Sequence, residues 1–175
     1  MREVWPASVE AEMDVRAPGE AHMDGGCGCK KLRYRLASAP IFTQACHCRW
    51  CQRETGTAHA LNAMIEADRV ELLSGAPEMV LTPSESGKGQ KIWRCPDCKI
   101  AVWSNYGGAG DRLKFIRVGT LDDPDLLPPQ MQIFTASKQP WVKLNETIPA
   151  VPEYYDRNEY WPPESLARMK ALFGR

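Results

Sequence analysis

The sequence predicts a mainly β domain with one short helix near its C-terminus. Short runs that alternate polar and apolar residues recur along the chain, and segments rich in glycine and proline separate them. This arrangement is typical of antiparallel sheets joined by turns. The 175 residues correspond to a single domain, which we expect at 23–175, preceded by an N-terminal extension at 1–22 that shows no steady periodicity.

The candidate strands can be taken in chain order. They fall at 31–36, 41–45, 57–65, 70–73, 79–82, 91–94, 100–103, 113–118 and 131–134. The single predicted helix follows at 162–173, where Pro162 and Pro163 suit a first turn, Glu164 suits the positive end of the helix dipole, and Gly174 suits the end.

Composition and charge exclude several classes of function. The 22 basic and 22 acidic residues balance, so the chain lacks the basic footprint of a nucleic-acid-binding protein. No apolar run approaches the length of a transmembrane helix, and the first 23 residues lack the apolar segment of a secretory signal. We therefore expect a cytoplasmic protein without nucleic-acid or membrane partners, and the sequence is silent on its oligomeric state.

The seven cysteines indicate metal binding. An odd number of cysteines in a predicted reducing compartment argues against a disulfide framework. Buried free thiols would be scattered along the chain, whereas these cysteines form two pairs and one triplet with the spacing of metal ligands. The chemistry of clustered thiolates favours zinc.

The triplet comprises Cys46, Cys48 and Cys51. Side chains two positions apart in an extended segment point the same way, so Cys46 and Cys48 can face one point. A turn through Arg49 and Trp50 would bring Cys51 to the same point. Three thiolates occupy three corners of a tetrahedral zinc site and leave one position open, which is typical of a catalytic site.

The remaining four cysteines form two pairs, Cys27/Cys29 and Cys95/Cys98. Together they complete a closed tetrahedral site, whose role is to stabilise the fold. A rival division, in which Cys27 or Cys29 joins the triplet, would leave the Cys95/Cys98 pair short of ligands. Lys99 follows that pair at a position where a left-handed backbone is common, and its charge could offset that of the thiolates.

The histidines are weaker candidates for the open position. His47 lies between Cys46 and Cys48, so strand alternation points it away from the metal. His59, on the segment that follows the triplet, could complete the site, but a hydrogen-bonded histidine at the rim is the more ordinary interpretation.

These motifs resemble those of the glutathione-dependent formaldehyde-activating enzyme family. The resemblance rests on residues 26–29, 46–53 with Gly56, and 95–98, and continues through 119–124 and 137–141. It implies the Mss4-like fold, a folded β-sheet with zinc at its tip. It also implies one structural zinc on Cys27, Cys29, Cys95 and Cys98 and a second, labile zinc on Cys46, Cys48 and Cys51.

The resemblance further implies an activity, the joining of formaldehyde to glutathione, which is a carbon–sulfur lyase class reaction. On this interpretation the triplet activates the thiol, Trp50 could wall the pocket, and Arg49 and Arg53 could pair with substrate carboxylates, although arginine is equally common on solvated surfaces. Members commonly carry histidine where this chain has Gln132. The alternative is a zinc-stapled binding or chaperone module without catalysis, which the same fold also supports.

Overall fold

The computed structural model describes residues 23–174, which form ten strands and three helices. The strands are β1 (Met23–Gly26), β2 (Arg33–Leu36), β3 (Phe42–Cys46), β4 (Ala60–Glu66), β5 (Val70–Ser74), β6 (Glu78–Thr82), β7 (Gln90–Arg94), β8 (Ala101–Tyr106), β9 (Leu113–Arg117) and β10 (Met131–Ile133). The helices are α1 (Arg49–Thr55), α2 (Arg157–Tyr160) and α3 (Pro163–Phe173). The predicted extension at 1–22 lies outside the described residues.

The strands form two sheets. The larger sheet has seven strands in the order β10-β3-β4-β9-β8-β7-β6, and the smaller has three in the order β1-β2-β5. Neighbouring strands are antiparallel except β10, which runs parallel to β3. The prediction of a mainly β domain is confirmed, and each predicted strand is present within a few residues of its expected bounds.

The two faces of the large sheet carry separate cores because side chains alternate along each strand. On β4 and β9, Ala63, Ile65 and Ile116 face a core that includes the small sheet, Cys27 and Cys95. Met64 and Phe115 face the other side, together with the triplet cysteines and residues of α3. Each cysteine group therefore lies beside its own core.

The predicted C-terminal helix is confirmed as α3. Pro163 lies in its first turn, and Gly174 ends it in the left-handed conformation with φ of 73°. The Gly174 N–H donates to the Lys170 carbonyl oxygen at 2.7 Å, which satisfies one of the last carbonyls of the helix. None of the helices in the described part of the chain is long and apolar enough to cross a membrane.

The expectation of a simple turn through Arg49 and Trp50, with α3 as the one helix, was wrong. Residues Arg49–Thr55 form α1, which begins after Cys48 and ends at Gly56, where φ is 67°. The Cys48 Sγ accepts the N–H of Cys51 at 3.4 Å and so acts as the N-terminal cap. Two turns are too short for a helical period to be visible in the sequence.

Candidate metal centres and the adjoining cavity

Four cysteines converge where β1 and the β7–β8 turn meet. The Sγ atoms of Cys27, Cys29, Cys95 and Cys98 all lie within 4.8 Å of one another. Two of the separations are 3.3 Å for Cys27–Cys29 and 3.7 Å for Cys29–Cys95. Tetrahedral zinc with bonds of about 2.3 Å requires sulfurs about 3.8 Å apart, so the group fits a closed zinc site. The rival division of the cysteines is not observed.

Both halves of this group are tight turns closed by a backbone hydrogen bond, from the residue three positions later in one turn and four positions later in the other. The Lys30 N–H donates to the Cys27 carbonyl oxygen, and the Lys99 N–H donates to that of Cys95, each at 3.0 Å. Lys30 and Lys99 have φ values of 62° and 63°, which is left-handed backbone that favours glycine. The left-handed conformation predicted for Lys99 is therefore confirmed, and Lys30 repeats it. These strained turns aim the thiols inward.

Two lysines beside the four-cysteine group form ion pairs with carboxylates. Lys99 Nζ lies 2.7 Å from a Glu78 carboxylate oxygen, so its charge is directed to Glu78. Lys31 Nζ lies 2.6 Å from Asp97 and joins the two turns. The backbone N–H of Ile100 lowers the pKa of the Cys98 thiol to about 6, because the N–H stabilises the thiolate.

The three-cysteine group is built from β3 and α1. Cys46 is the last residue of β3, Cys48 caps α1, and Cys51 lies in the first turn of that helix. Residues three apart meet on one side of a helix, which returns Cys51 to Cys48. All three are buried, and their Sγ atoms lie within 4.8 Å of one another, with no histidine or carboxylate of the described residues in the group. These thiols fit three corners of a zinc site.

The three thiols titrate together. Hydrogen bonds from the Cys46 and Cys51 thiols stabilise the Cys48 thiolate and lower its pKa to about 3. The same contacts to Cys48 and Cys51, with burial, raise the pKa of Cys46. Three adjacent thiols cannot all ionise without a compensating cation, because the thiolates repel one another. A bound divalent cation supplies that compensation.

Arg117 is a buried charged residue near the thiols that the sequence analysis did not identify. Its side chain is buried on β9, where it donates to Asn62 Oδ1 and to Ser104 Oγ at 2.9 Å. Its Nε has no hydrogen-bond partner, and none of the described carboxylates pairs with it. Its charge instead acts on Cys51, so Arg117 supplies a buried positive charge beside the thiols. The sequence did contain one signal for it: Arg117 lies on the same predicted strand as Leu113 and Phe115, at a spacing of two, so its side chain shares their face of the sheet.

Neither histidine joins the thiols. His47 is 2% exposed, its ring lies 4.9 Å from that of His59, and both of its ring nitrogens lack well-formed hydrogen bonds within residues 23–174. Burial, followed by the nearby charges of His59 and Lys138, lowers the pKa of His47. The prediction that strand alternation turns His47 away from the metal group is consistent with this placement.

The three cysteines line a cavity of about 720 Å³. Its walls also come from α1, β8, β9, the end of β10 and the C-terminal segment. Most lining side chains are apolar or aromatic, including Trp50, Tyr106 and Phe115. A polar lip comes from the loop that joins β6 to β7, with Ser84, Glu85, Ser86 and Lys88.

Arg49 and Arg53 line a separate groove on the other side of α1. Positions two apart on a helix differ by about 200° in direction, so both arginines point away from Cys51. Gln52 and Trp141 also line this groove, and Arg49 donates to Gln52 Oε1 at 2.8 Å. Neither arginine lines the cysteine cavity, and their pairing with a substrate carboxylate stays a prediction.

The side-chain amide of Gln132 has a structural role. It lies on β10 and is 5% exposed. Its Nε2 donates to the Asn145 carbonyl oxygen at 2.8 Å, and its Oε1 accepts the Asn145 N–H at 3.0 Å. Ile133, its neighbour on the strand, lines the cavity, whereas Gln132 does not. The amide therefore fixes the segment around Asn145.

Comparison with known proteins places these features in a wider context. The family model described as glutathione-dependent formaldehyde-activating enzyme matches residues 22–137. The chain matches no curated protein at a significant level. A crystal structure of a Rhodobacter sphaeroides protein aligns with 74% of this chain and 100% of its own, at 17% identity and a TM-score of 0.45. A likeness at that level does not bear on function.

Proposed function

Because the chain belongs to the glutathione-dependent formaldehyde-activating enzyme family, we propose that it adds a thiol, glutathione or a similar one, to formaldehyde or a small aldehyde. The product is an S-hydroxymethyl thiol or its homologue, and the reaction belongs to the carbon–sulfur lyase class. The observation that carries this proposal is the buried group of three thiols that lines the cavity, with no fourth protein ligand among residues 23–174. We expect the reaction in the cytoplasm, where small thiols stay reduced.

Three groups of residues have separate roles in the proposed thiol addition. A zinc ion held by Cys46, Cys48 and Cys51 would offer one open position at which a thiol gives up its proton. The buried charge of Arg117 stabilises the anionic thiolate group. Arg49 and Arg53 offer guanidinium groups for the carboxylates of a peptide thiol at the outer side of α1.

The addition balances without any further reactant. The sulfur electron pair forms the new bond to the aldehyde carbon, and the carbon–oxygen π bond breaks. The carbonyl oxygen takes up one proton, which replaces the proton that the thiol released. The apolar walls of the cavity exclude water from the reacting atoms. The second zinc, on Cys27, Cys29, Cys95 and Cys98, would hold β1 against the β7–β8 turn and take no part in the reaction.

Calorimetry with the zinc-loaded protein tests this proposal. Glutathione should bind with release of about one proton, counted in buffers of different ionisation enthalpy, because the thiol must ionise to coordinate. S-methyl glutathione, which cannot ionise, should bind at least about tenfold more weakly. Equal affinity for the two compounds with no proton release would contradict thiol activation. Capture of a protein partner whose binding ignores thiols would favour a binding module.

A further inference from the structure

The cavity beside the three thiols is much larger than formaldehyde requires. Cavities of about 300–1,000 Å³ ordinarily hold drug-sized ligands, and this one measures about 720 Å³. Beside the thiol that the proposed function places at the cysteine group, an aldehyde of one carbon would fill only a small part of this space. The size of the cavity therefore leaves room for a carbonyl compound with a substantial body.

The lining of the cavity indicates that this body is apolar. Aromatic side chains from four separate segments of the chain face it, namely Trp50, Tyr106, Phe115, Phe134, Trp161 and Phe173. Several of them are fixed by ring contacts. Tyr106 meets Phe115 edge to face at 4.7 Å, and Trp161 stacks on Phe42 at 4.9 Å. Pre-positioned aromatic walls favour flat apolar ligands.

A half-buried cation that forms no ion pair within residues 23–174 lines this apolar space. Arg157, at the start of α2, is half-buried and lines the cavity. No carboxylate within residues 23–174 pairs with it, whereas Arg33, Arg94 and Arg168 each pair with a carboxylate. The two other charged residues of the lining, Glu85 and Lys88, are exposed and opposite in sign. Arg157 is therefore a positive charge of the lining that is available to pair with an anionic ligand.

Arg157 lines the same cavity as the three cysteines, and Tyr154 also lines it. A ligand that fills this cavity can therefore contact both the thiols and Arg157.

We propose that the carbonyl substrate is an aldehyde with an apolar, preferably aromatic, body and one carboxylate that pairs with Arg157. This inference rests on the proposed thiol addition for its chemistry, but its recognition part can be tested without any reaction. The aromatic walls hold the body, and the planar guanidinium of Arg157 binds the carboxylate. The aldehyde carbon then points to the thiols, where the addition balances as described above.

The test begins with an unreactive probe, 3-(4-methylphenyl)propanoate, titrated calorimetrically into the zinc-loaded protein. We expect it to bind at least about tenfold more tightly than its uncharged amide, because only the acid forms a charged pair. Arg157→Met should abolish this preference, and Trp50→Ala should weaken both compounds. Lys143 is an exposed lysine outside the cavity, so Lys143→Met is the matched control. Thermal melts confirm that each variant is folded.

The outcomes separate this inference from the proposed function. If the Arg157→Met variant still binds the acid in preference to the amide, the carboxylate binds somewhere else, for example at the metal. That result would overturn the inference. Failure of the probe to bind, while the protein still accelerates the addition of glutathione to formaldehyde over the spontaneous reaction, would overturn it and leave the proposed function intact. Preferential binding of the acid that depends on Arg157 supports the inference. Faster adduct formation from 3-(4-formylphenyl)propanoate than from formaldehyde extends that support to the reaction.

Discussion

At the scale of single residues, the seven thiols divide by what surrounds them. Cys95 lies in a closed group of four, where every corner of a tetrahedral site is a protein sulfur. Cys48 lies in a group of three that opens on a cavity. Metal binding energy at a closed site is folding energy, whereas an open site can lose affinity without loss of the fold.

Cys95→Ala should therefore destabilise the protein more than Cys48→Ala. We expect Cys95→Ala to lower the free energy of unfolding by more than about 3 kcal/mol, and Cys48→Ala by less, while abolishing thiol binding. Thermal melts compare the stability of the two variants, and the zinc content of each variant is measured alongside. A larger drop for Cys48→Ala would reverse the roles of the two groups.

Arg117 leads to a second prediction at this scale. A buried guanidinium without a carboxylate partner depends on the anionic thiol group for its charge balance. Arg117→Met should lower zinc affinity at the three-cysteine group by at least about tenfold, and Arg117→Lys should restore part of it. Competition with a chromogenic chelator reports that affinity directly. If Arg117→Met binds zinc as the wild-type protein does, the arginine serves only the hydrogen bonds to Asn62 and Ser104.

At the scale of secondary-structure elements, ion pairs hold the helices that complete the site. Arg94 on β7 pairs with Glu54 on α1 and donates to the Lys99 carbonyl oxygen at 3.1 Å, which ties α1 to the four-cysteine turn. Arg168 on α3 donates to both carboxylate oxygens of Glu66 at the end of β4. Through that pair, the C-terminal wall of the cavity is fixed to the large sheet.

The Glu66–Arg168 pair should make the docking of α3 dependent on pH. Burial opposes the ionisation of Glu66, but hydrogen bonds from Arg168 and the charges of Arg168 and Arg69 outweigh it and lower the pKa of Glu66. A lowered pKa means that the stabilisation is complete above the unfolded value of about 4.3 and is lost as pH falls through the folded value.

Glu66→Gln should accordingly cost about 1–3 kcal/mol of unfolding free energy near neutral pH, and the difference from the wild-type protein should shrink as the medium is acidified below about pH 4.3. Denaturant titrations at several pH values measure it. Glu159→Gln, at an exposed position on α2, is the control. Because protonation of the cysteines is common to all three proteins, it cancels in the comparison. A difference that stays constant with pH would show that the pair contributes no electrostatic stability.

At the scale of the whole molecule, the large sheet separates the two cysteine groups. The face toward the small sheet carries the four-cysteine group, and the face toward α3 carries the three-cysteine group and the cavity. Alternation along β4 and β9 produces this separation, since neighbouring residues on one strand point to opposite cores. The fold can thus keep one metal for stability and expose another to substrates.

We expect two zinc equivalents at full loading, which a chelator removes at different rates. The three-cysteine group should lose its ion first, because its open position admits a competing ligand, and the closed group should resist mild chelators. Metal analysis during a chelator titration, with circular dichroism recorded in parallel, follows both losses. Simultaneous loss of the two ions would argue against distinct open and closed sites.

The sequence by itself determined nine of the ten strands, the C-terminal helix and the division of the cysteines into four and three, but it did not predict β1. Each of these depends on local spacing, such as period-two alternation in β4 or the two-residue gap between Cys95 and Cys98, and short-range geometry follows from spacing. Only the tertiary structure showed that residues 49–55 form α1, that Arg117 places a buried charge near the thiols, and that a cavity adjoins them. A two-turn helix leaves no visible period, and Arg117 and Arg157 acquire their roles from neighbours distant in the chain. Their chemistry depends on desolvation and long-range packing, which local patterns do not encode.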